Sequence, residues 1–153
     1  MLEIRNATQD EIPLLKQMYM TEVEEHEKRA QTFANELVNR FKTMLAFKNG
    51  NLCGTASWDI RGGLDDGVVE IIGIGVNSDY QRQKIASSLI DSVTDEANRY
   101  YSEAGYKLRI IMLFMEKGNE VARKFYTSVG FEEVACINGL YPHDDGSIWI
   151  RHL

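Results

Sequence analysis

Between Val68 and Leu89 the sequence reads VVEIIGIGVNSDYQRQKIASSL, and it sets a cluster of donor side chains against the start of an amphipathic segment. Gln81, Arg82, Gln83 and Lys84 stand directly before Ile85, Ala86, Leu89, Ile90 and Val93, whose spacing is helical. A helix starting near Lys84 leaves its first backbone N–H groups without intrahelical acceptors, and its dipole puts partial positive charge at that end. Both properties suit an anion, phosphate above all. The same residues also read as an ordinary solvated strand–loop–helix connection, and the spacing alone leaves both readings open. The run VVEIIGIGV before the loop is rich in β-branched residues and has the character of a buried strand. Gly73 and Gly75 inside it mark a bulge, or a place where a ligand or another backbone comes close. Glu70 is the only carboxylate in the run.

The elements that must hold these residues follow from pattern. Leu2–Arg5 alternates like a short strand. Thr8 and Glu11 form a capping box ahead of Ile12, Leu15, Met18 and Tyr19, with Pro13 in the tolerated first turn. The charged stretch TEVEEHEKRAQ, with Glu22, Glu24, Glu25 and Glu27, reads as a solvated face or as an acidic rim over a site for amines. Phe33–Phe41 offers a second helix. Thr43–Lys48 and Leu52–Ile60 are strands joined by Asn49-Gly50-Asn51, a strong hairpin signal. After the central strand and helix, which Gly105 terminates, Leu108–Met115 reads as a buried strand and Gly118–Ser128 as a helix stopped by Gly130. Phe131–Ile137 and Ser147–Leu153 close the chain as strands. The order β-α-α-β-β-β-α-β-α-β-β implies an α/β (α+β) domain on a mixed sheet.

Length and composition bound the function. At 153 residues the chain reads as a single domain, 1–153, with a full core. A net charge of −6 argues against nucleic acid as main partner and fits a cationic substrate better. No segment approaches the ~20 apolar residues of a membrane span, and MLEIRNAT shows no signal-peptide pattern, so the expected location is cytoplasmic. Cys53 and Cys136 are far apart in strand-like stretches and are expected to be buried free thiols. The three histidines show no ligand spacing, so no metal is expected.

Two stretches together resemble the GNAT N-acetyltransferase superfamily. VNSDYQRQKIASSLI is similar to that family's acyl-CoA pyrophosphate loop, Gln/Arg-x-x-Gly-x-Gly/Ala, here Gln81-x-x-Lys84-x-Ala86. NEVARKFYTSVGFEEV is similar to its Asn-x-x-Ala-x-x-Phe-Tyr-x-x-x-Gly-Phe segment, here Asn119, Ala122, Phe125, Tyr126, Gly130 and Phe131. The resemblance implies a mostly antiparallel mixed sheet of about six or seven strands flanked by about four helices. It implies acetyl-CoA as cofactor, with pantetheine held by the backbone of Ile74, Gly75 and Val76, and pyrophosphate held by Gln81 to Lys84 with Ile85, Ala86 and Ser87. Asn119, Ala122 and Phe125 would also contact it. Lys84 departs from the family glycine, which would allow close phosphate approach, although lysine adds charge there.

By the same resemblance Tyr126 is the acid that protonates the leaving thiolate. Glu70 is the favoured general base, since a carboxylate in an apolar strand can be shifted toward the working range; Glu116 or a water chain are the alternatives. The stretch Glu70–Val76 with Tyr80–Lys84 is further similar to the subgroup acting on protein N-termini, the ribosomal-protein alanine acetyltransferases, but Phe114 replaces that subgroup's strand glutamate. The expected reaction is direct acetyl transfer to a primary amine on a peptide N-terminus, a polyamine or another small molecule. A non-catalytic acyl-CoA sensor is the alternative, and a homodimer through the closing strands is compatible with the sequence.

Overall fold

The computed structural model describes all 153 residues. Seven strands form one sheet in the order β1-β2-β3-β4-β5-β7-β6. They are β1 (Leu2–Asn6), β2 (Lys42–Lys48), β3 (Asn51–Arg61), β4 (Val68–Val76), β5 (Ile110–Glu116), β6 (Glu132–Tyr141) and β7 (Asp144–His152), with helices α1 (Ile12–Glu22), α2 (Glu27–Asn35), α3 (Ile85–Glu103) and α4 (Glu120–Ser128). The element order is the one expected from the sequence. The chain divides into two compact units, Met1–Asp59 with Gly73–Val93, and Ile60–Ile72 with Thr94–Leu153.

In the first unit β1 and β3 flank β2 antiparallel. The β2–β3 turn is two residues long, and Asn49 (φ 52) and Gly50 (φ 80) both take the left-handed conformation that a type I′ turn requires. Thr8 caps the segment leading into α1, and Glu11 returns the bond to the Thr8 N–H at 2.8 Å. Leu15, Ala34, Leu37, Leu45, Phe47 and Leu52 form a buried cluster between the helices and the β2–β3 pair. The helix expected from Phe33 instead begins at Glu27, inside the charged stretch, because the His26 ring accepts from the Arg29 N–H at 3.1 Å and acts as the cap. Its last turn, Glu36–Arg40, is wound as a π-turn.

In the second unit β5 pairs antiparallel with β7, and β7 with β6. Gly105 (φ 83) and Gly130 (φ 92) end α3 and α4 in left-handed conformation, the use of glycine that both positions implied. The closing strands are longer than expected: β6 continues past Ile137 to Tyr141 and β7 begins at Asp144, ahead of Ser147, so the two form a hairpin whose turn is Pro142-His143. The surplus residues form a bulge between Ile137 and Tyr141, held by the Gly139 N–H on Asp145 Oδ1 at 2.9 Å. Cys53 is buried, with its thiol on the Ala46 carbonyl at 3.3 Å. Cys136 is not buried as expected; it is exposed on β6, at the outer edge of the sheet.

Leu45 is fully buried on β2 in the first unit's cluster. Leu45→Ala is expected to cost about 2–5 kcal/mol of stability, read as a lower urea midpoint with an unchanged slope.

Candidate active site

The loop between β4 and α3 is pinned at its start and strained at its end. The Asn77 N–H donates to the Cys53 carbonyl at 2.8 Å and its side-chain amide to the Leu52 carbonyl at 3.0 Å. Glu22 receives the Ser78 N–H at 3.3 Å. Arg82 (φ 63) and Lys84 (φ 62) then adopt left-handed backbone, which costs a side-chain-bearing residue roughly 1–2 kcal/mol. Lys84 thus takes up the conformation that a glycine there would adopt freely. Its carbonyl accepts the Ser88 N–H and the Ser87 hydroxyl, both at 3.1 Å, so it stands at the N-cap of α3. A lysine side chain has no acceptor to offer the helix, and the N–H groups of Ile85, Ala86 and Ser87 have no protein acceptor.

Gln81, Arg82, Gln83 and Lys84 are all exposed around that helix end, while Ile85 is buried and anchors it. The Lys48 ammonium engages the Gln83 side chain. Free N–H donors at a helix start, with exposed cations beside them, fit a diphosphate. On β4, Ile72, Gly73 and Gly75 are exposed although the strand is internal to the sheet, and a Cβ built on Gly73 or Gly75 would meet nothing within 4 Å. Ile74 and Val76 are half-buried. Gly54 on β3 does need its hydrogen: a Cβ there would sit 3.0 Å from the Gly75 carbonyl oxygen and 3.1 Å from Leu89.

In the second unit the parallel β4–β5 ladder has three pairs, Val68↔Ile110, Val69↔Ile111 and Glu70↔Met112, and stops there. On the other side β5 keeps pairing with β7 as far as Glu116↔Gly146. Alternation places Glu70 with Met112, Phe114 and Glu116 on one sheet face, and Leu113 and Met115 with Trp149 on the other. Glu70 is largely buried and accepts from Arg61 Nη1 at 2.6 Å; the guanidinium carbon of Arg61 lies 5.5 Å from the Phe114 ring centroid. Glu116, at the end of β5, meets His143 Nε2 at 3.0 Å.

Helix α4 covers the opposite face, where Arg123 stacks 5.3 Å from the Trp149 centroid and bonds Glu133 at 2.7 Å. Asn119 caps α4 by accepting the Ala122 N–H at 3.1 Å. Ala122 and Phe125 are half-buried. Tyr126 is buried, with its ring edge-on to Phe125 at 5.1 Å and Phe131 at 5.5 Å. Burial pushes its phenol up to about 12, and no protein group hydrogen-bonds its hydroxyl. It therefore keeps its proton at neutral pH and has it free to give.

The acidic stretch is largely taken up by neighbours. Glu24 accepts from Tyr19 at 2.5 Å and Arg29 at 2.7 Å, Glu27 pairs with Lys16 at 2.9 Å, and Glu22 caps Ser78. Sequence reasoning did not single out Arg61 or His143. Arg61 lay in a segment read as a turn, whereas β3 ends on that residue; His143 sits in the turn of the closing hairpin, in a stretch that the sequence reading assigned to neither strand.

The model of the acetyltransferase (GNAT) family matches residues 4–131. The chain is 27% identical over 116 residues to the [ribosomal protein bS18]-alanine N-acetyltransferase of Escherichia coli K12, covering 76% of this chain and 72% of that one. Its fold is similar to the crystal structure of the ribosomal-protein-S18-alanine N-acetyltransferase from Escherichia coli, with TM-score 0.77, 22% identity, and 99% and 94% of the two chains covered. It is also similar to that of Arabidopsis thaliana NAA60 in complex with acetyl-CoA, with TM-score 0.71, 19% identity, and 100% and 99% covered.

The raised phenol sets an alkaline limit on stability. A group whose folded value lies above its unfolded one contributes fully below the unfolded value, near 10, and its contribution is lost as pH rises toward about 12. Tyr126 should account for a loss of at most about 2–3 kcal/mol across that window. Urea denaturation at pH 8 and pH 11 should show Tyr126→Phe losing less stability than the wild type.

Proposed function

We infer the reaction of this chain from the family it belongs to, the acetyltransferase (GNAT) family. It is an acetyl-CoA-dependent N-acetyltransferase, and a non-catalytic sensor finds no support among its relatives. We take residues 1–153 as one acetyltransferase domain. Bound acetyl-CoA supplies the acetyl group as an activated thioester. The backbone N–H groups that open α3, with Gln81, Arg82, Gln83 and Lys84, are the groups that would hold its diphosphate. Ile74, Gly75 and Val76 would receive the pantetheine arm along open strand backbone, and Asn119, Ala122 and Phe125 are further residues proposed to contact the cofactor.

The observation that carries the chemistry is the Tyr126 hydroxyl, buried, protonated and without a protein partner. Tyr126 holds a proton at Oη for the sulfur that departs when the new C–N bond forms. The acceptor must arrive as, or become, a neutral amine. Two carboxylates on one sheet face are the candidates for that step, Glu70, which pairs with Arg61, and Glu116, which contacts His143. Proximity to the thioester does the rest.

For the acceptor we propose the α-amine of a peptide or protein chain. The likeness to the bS18-alanine enzyme supports this reading. The pairing of Glu22, Glu24 and Glu27 with neighbouring groups weakens the polyamine reading, because these carboxylates are no longer a free anionic rim. We further propose a cytoplasmic location, which the free thiols of Cys53 and Cys136 suit; no helix is long and apolar enough to cross a membrane.

Thiol release from acetyl-CoA tests the acceptor. Peptides with free N-termini should support turnover and the same peptides with blocked N-termini should not; turnover on polyamines alone would overturn the proposal. Tyr126→Phe should keep the fold and the affinity for acetyl-CoA while lowering kcat about a hundredfold or more. Lys84→Glu should weaken acetyl-CoA binding about tenfold in a calorimetric titration; undiminished affinity would remove the loop as the diphosphate site.

A further inference from the structure

Four residues of β4 and β5 share the sheet face opposite α4: Glu70, Met112, Phe114 and Glu116. Two of them can take a proton. Glu70 is already the acceptor of a 2.6 Å charge-assisted bond from Arg61, whose guanidinium also rests near the Phe114 ring. A proton taken by Glu70 would break that pair and leave Arg61 facing a neutral group. Phe114, between the two carboxylates, cannot take part. Glu116 has no such cation; its partner is the His143 ring, itself titratable.

We propose that the His143–Glu116 pair, and not Glu70, accepts the proton of the incoming ammonium, with the imidazole as the base and Glu116 as the residue that positions it. This inference rests on the N-acetyltransferase reading above. Facing a carboxylate at 3.0 Å, Nε2 carries the ring hydrogen and Nδ1 keeps its lone pair. The ring is 68% exposed on a tight turn, so an ammonium arriving from solvent can reach Nδ1. One N–H bond of the ammonium breaks as the Nδ1–H bond forms, leaving a neutral amine and an imidazolium that Glu116 stabilises. The second proton of that nitrogen leaves as the amide forms and balances the one that Tyr126 gives to sulfur. His143 returns its proton to water. The arrangement follows the logic of a base oriented by a third group.

The other ionisable groups about the hairpin are otherwise engaged. Asp144 accepts the Gly118 N–H at 2.7 Å and Asp145 the Gly139 N–H at 2.9 Å. Lys117 is an exposed cation next to Glu116 in the chain. Tyr141 is raised first by burial and then by the Glu116 charge, which places that charge beside the hairpin. Glu116 therefore faces both Tyr141 and His143, and of these two the imidazole is the one that carries a nitrogen lone pair.

The test uses a peptide acceptor on which the wild-type chain is active, with kcat measured against pH. Inactivity of the wild type on every amine would be a failure of the acetyltransferase reading, and is distinct from any outcome below. His143→Ala should lower kcat at pH 7 by about a hundredfold, flatten the acid limb of the profile, and leave acetyl-CoA affinity unchanged. Added imidazole should restore part of the loss. Glu116→Gln should lower kcat less, keep the acid limb, and respond less to imidazole. A His143→Ala chain that retains kcat within twofold, or whose loss is neither rescued by imidazole nor accompanied by a changed pH profile, would overturn the proposal.

Discussion

The parallel ladder between β4 and β5 has three pairs, and the proposed cofactor site rests on the strand backbone that β4 leaves open beyond them. Backbone N–H and C=O groups inside a protein need partners. β5 finds them on its other side, where β7 accompanies it to Glu116. Beyond Glu70, β4 has no such continuation along β5, and its Ile72, Gly73 and Gly75 are exposed in the middle of a sheet. A strand edge left open inside a sheet is a template for another extended chain with amide groups. A pantetheine arm, which carries two amides, is what the proposed reading lays there. The absence of side chains at Gly73 and Gly75 keeps the approach clear.

The same strand geometry separates the groups proposed to handle protons. Residues on β5 alternate, so Phe114 and Glu116 face one way and Leu113 and Met115 the other. Helix α4 and Tyr126 belong to the second side, the Arg61–Glu70 pair and the Glu116–His143 contact to the first. Acyl transfer to an amine needs a base where the nucleophile enters and an acid where the leaving group departs. In the proposed reaction, a sheet with different chemistry on its two faces keeps the base and the acid apart, so that the two do not neutralise each other. It also explains the different electrostatics. Burial tightens the hold of Tyr126 on its proton, whereas a group proposed to collect and return protons works best where water can reach it, and the His143 ring is exposed.

Much of this was legible in the sequence because it depended on local rules. The Thr8–Glu11 box, the Asn49-Gly50 turn and the glycine stops at 105 and 130 each did what their types dictate. The start of α3 was legible for the same reason. What was lost depended on distant partners. The acidic stretch looked free because Lys16, Arg29 and Ser78 are not neighbours of its carboxylates in an extended chain. Glu70 looked isolated because Arg61 lies nine residues away across a turn. The closing strands were read too short because a bulge interrupts their pattern: Gly139 is left-handed within β6, and Gly146 leaves room for the Leu140 side chain.

Lys84 shows how the loop balances two demands. Glycine at that position would enter the left-handed region without steric cost; lysine enters it at a cost comparable to a weak interaction elsewhere in the fold. The strain is tolerated because the loop is held at its other end by Asn77 on β3, and because Ile85, the next residue, is buried and fixes the start of α3. In exchange the helix start carries a full positive charge beside its three unsatisfied N–H groups. An anion placed there would meet both the fixed dipole and a mobile cation. The glycine solution relies on close backbone approach alone, whereas this chain adds a charge that can follow the anion as it enters. A loop of this kind depends less on an ideal fit and more on ionic strength, since screening acts on the exposed ammonium far more than on buried backbone donors.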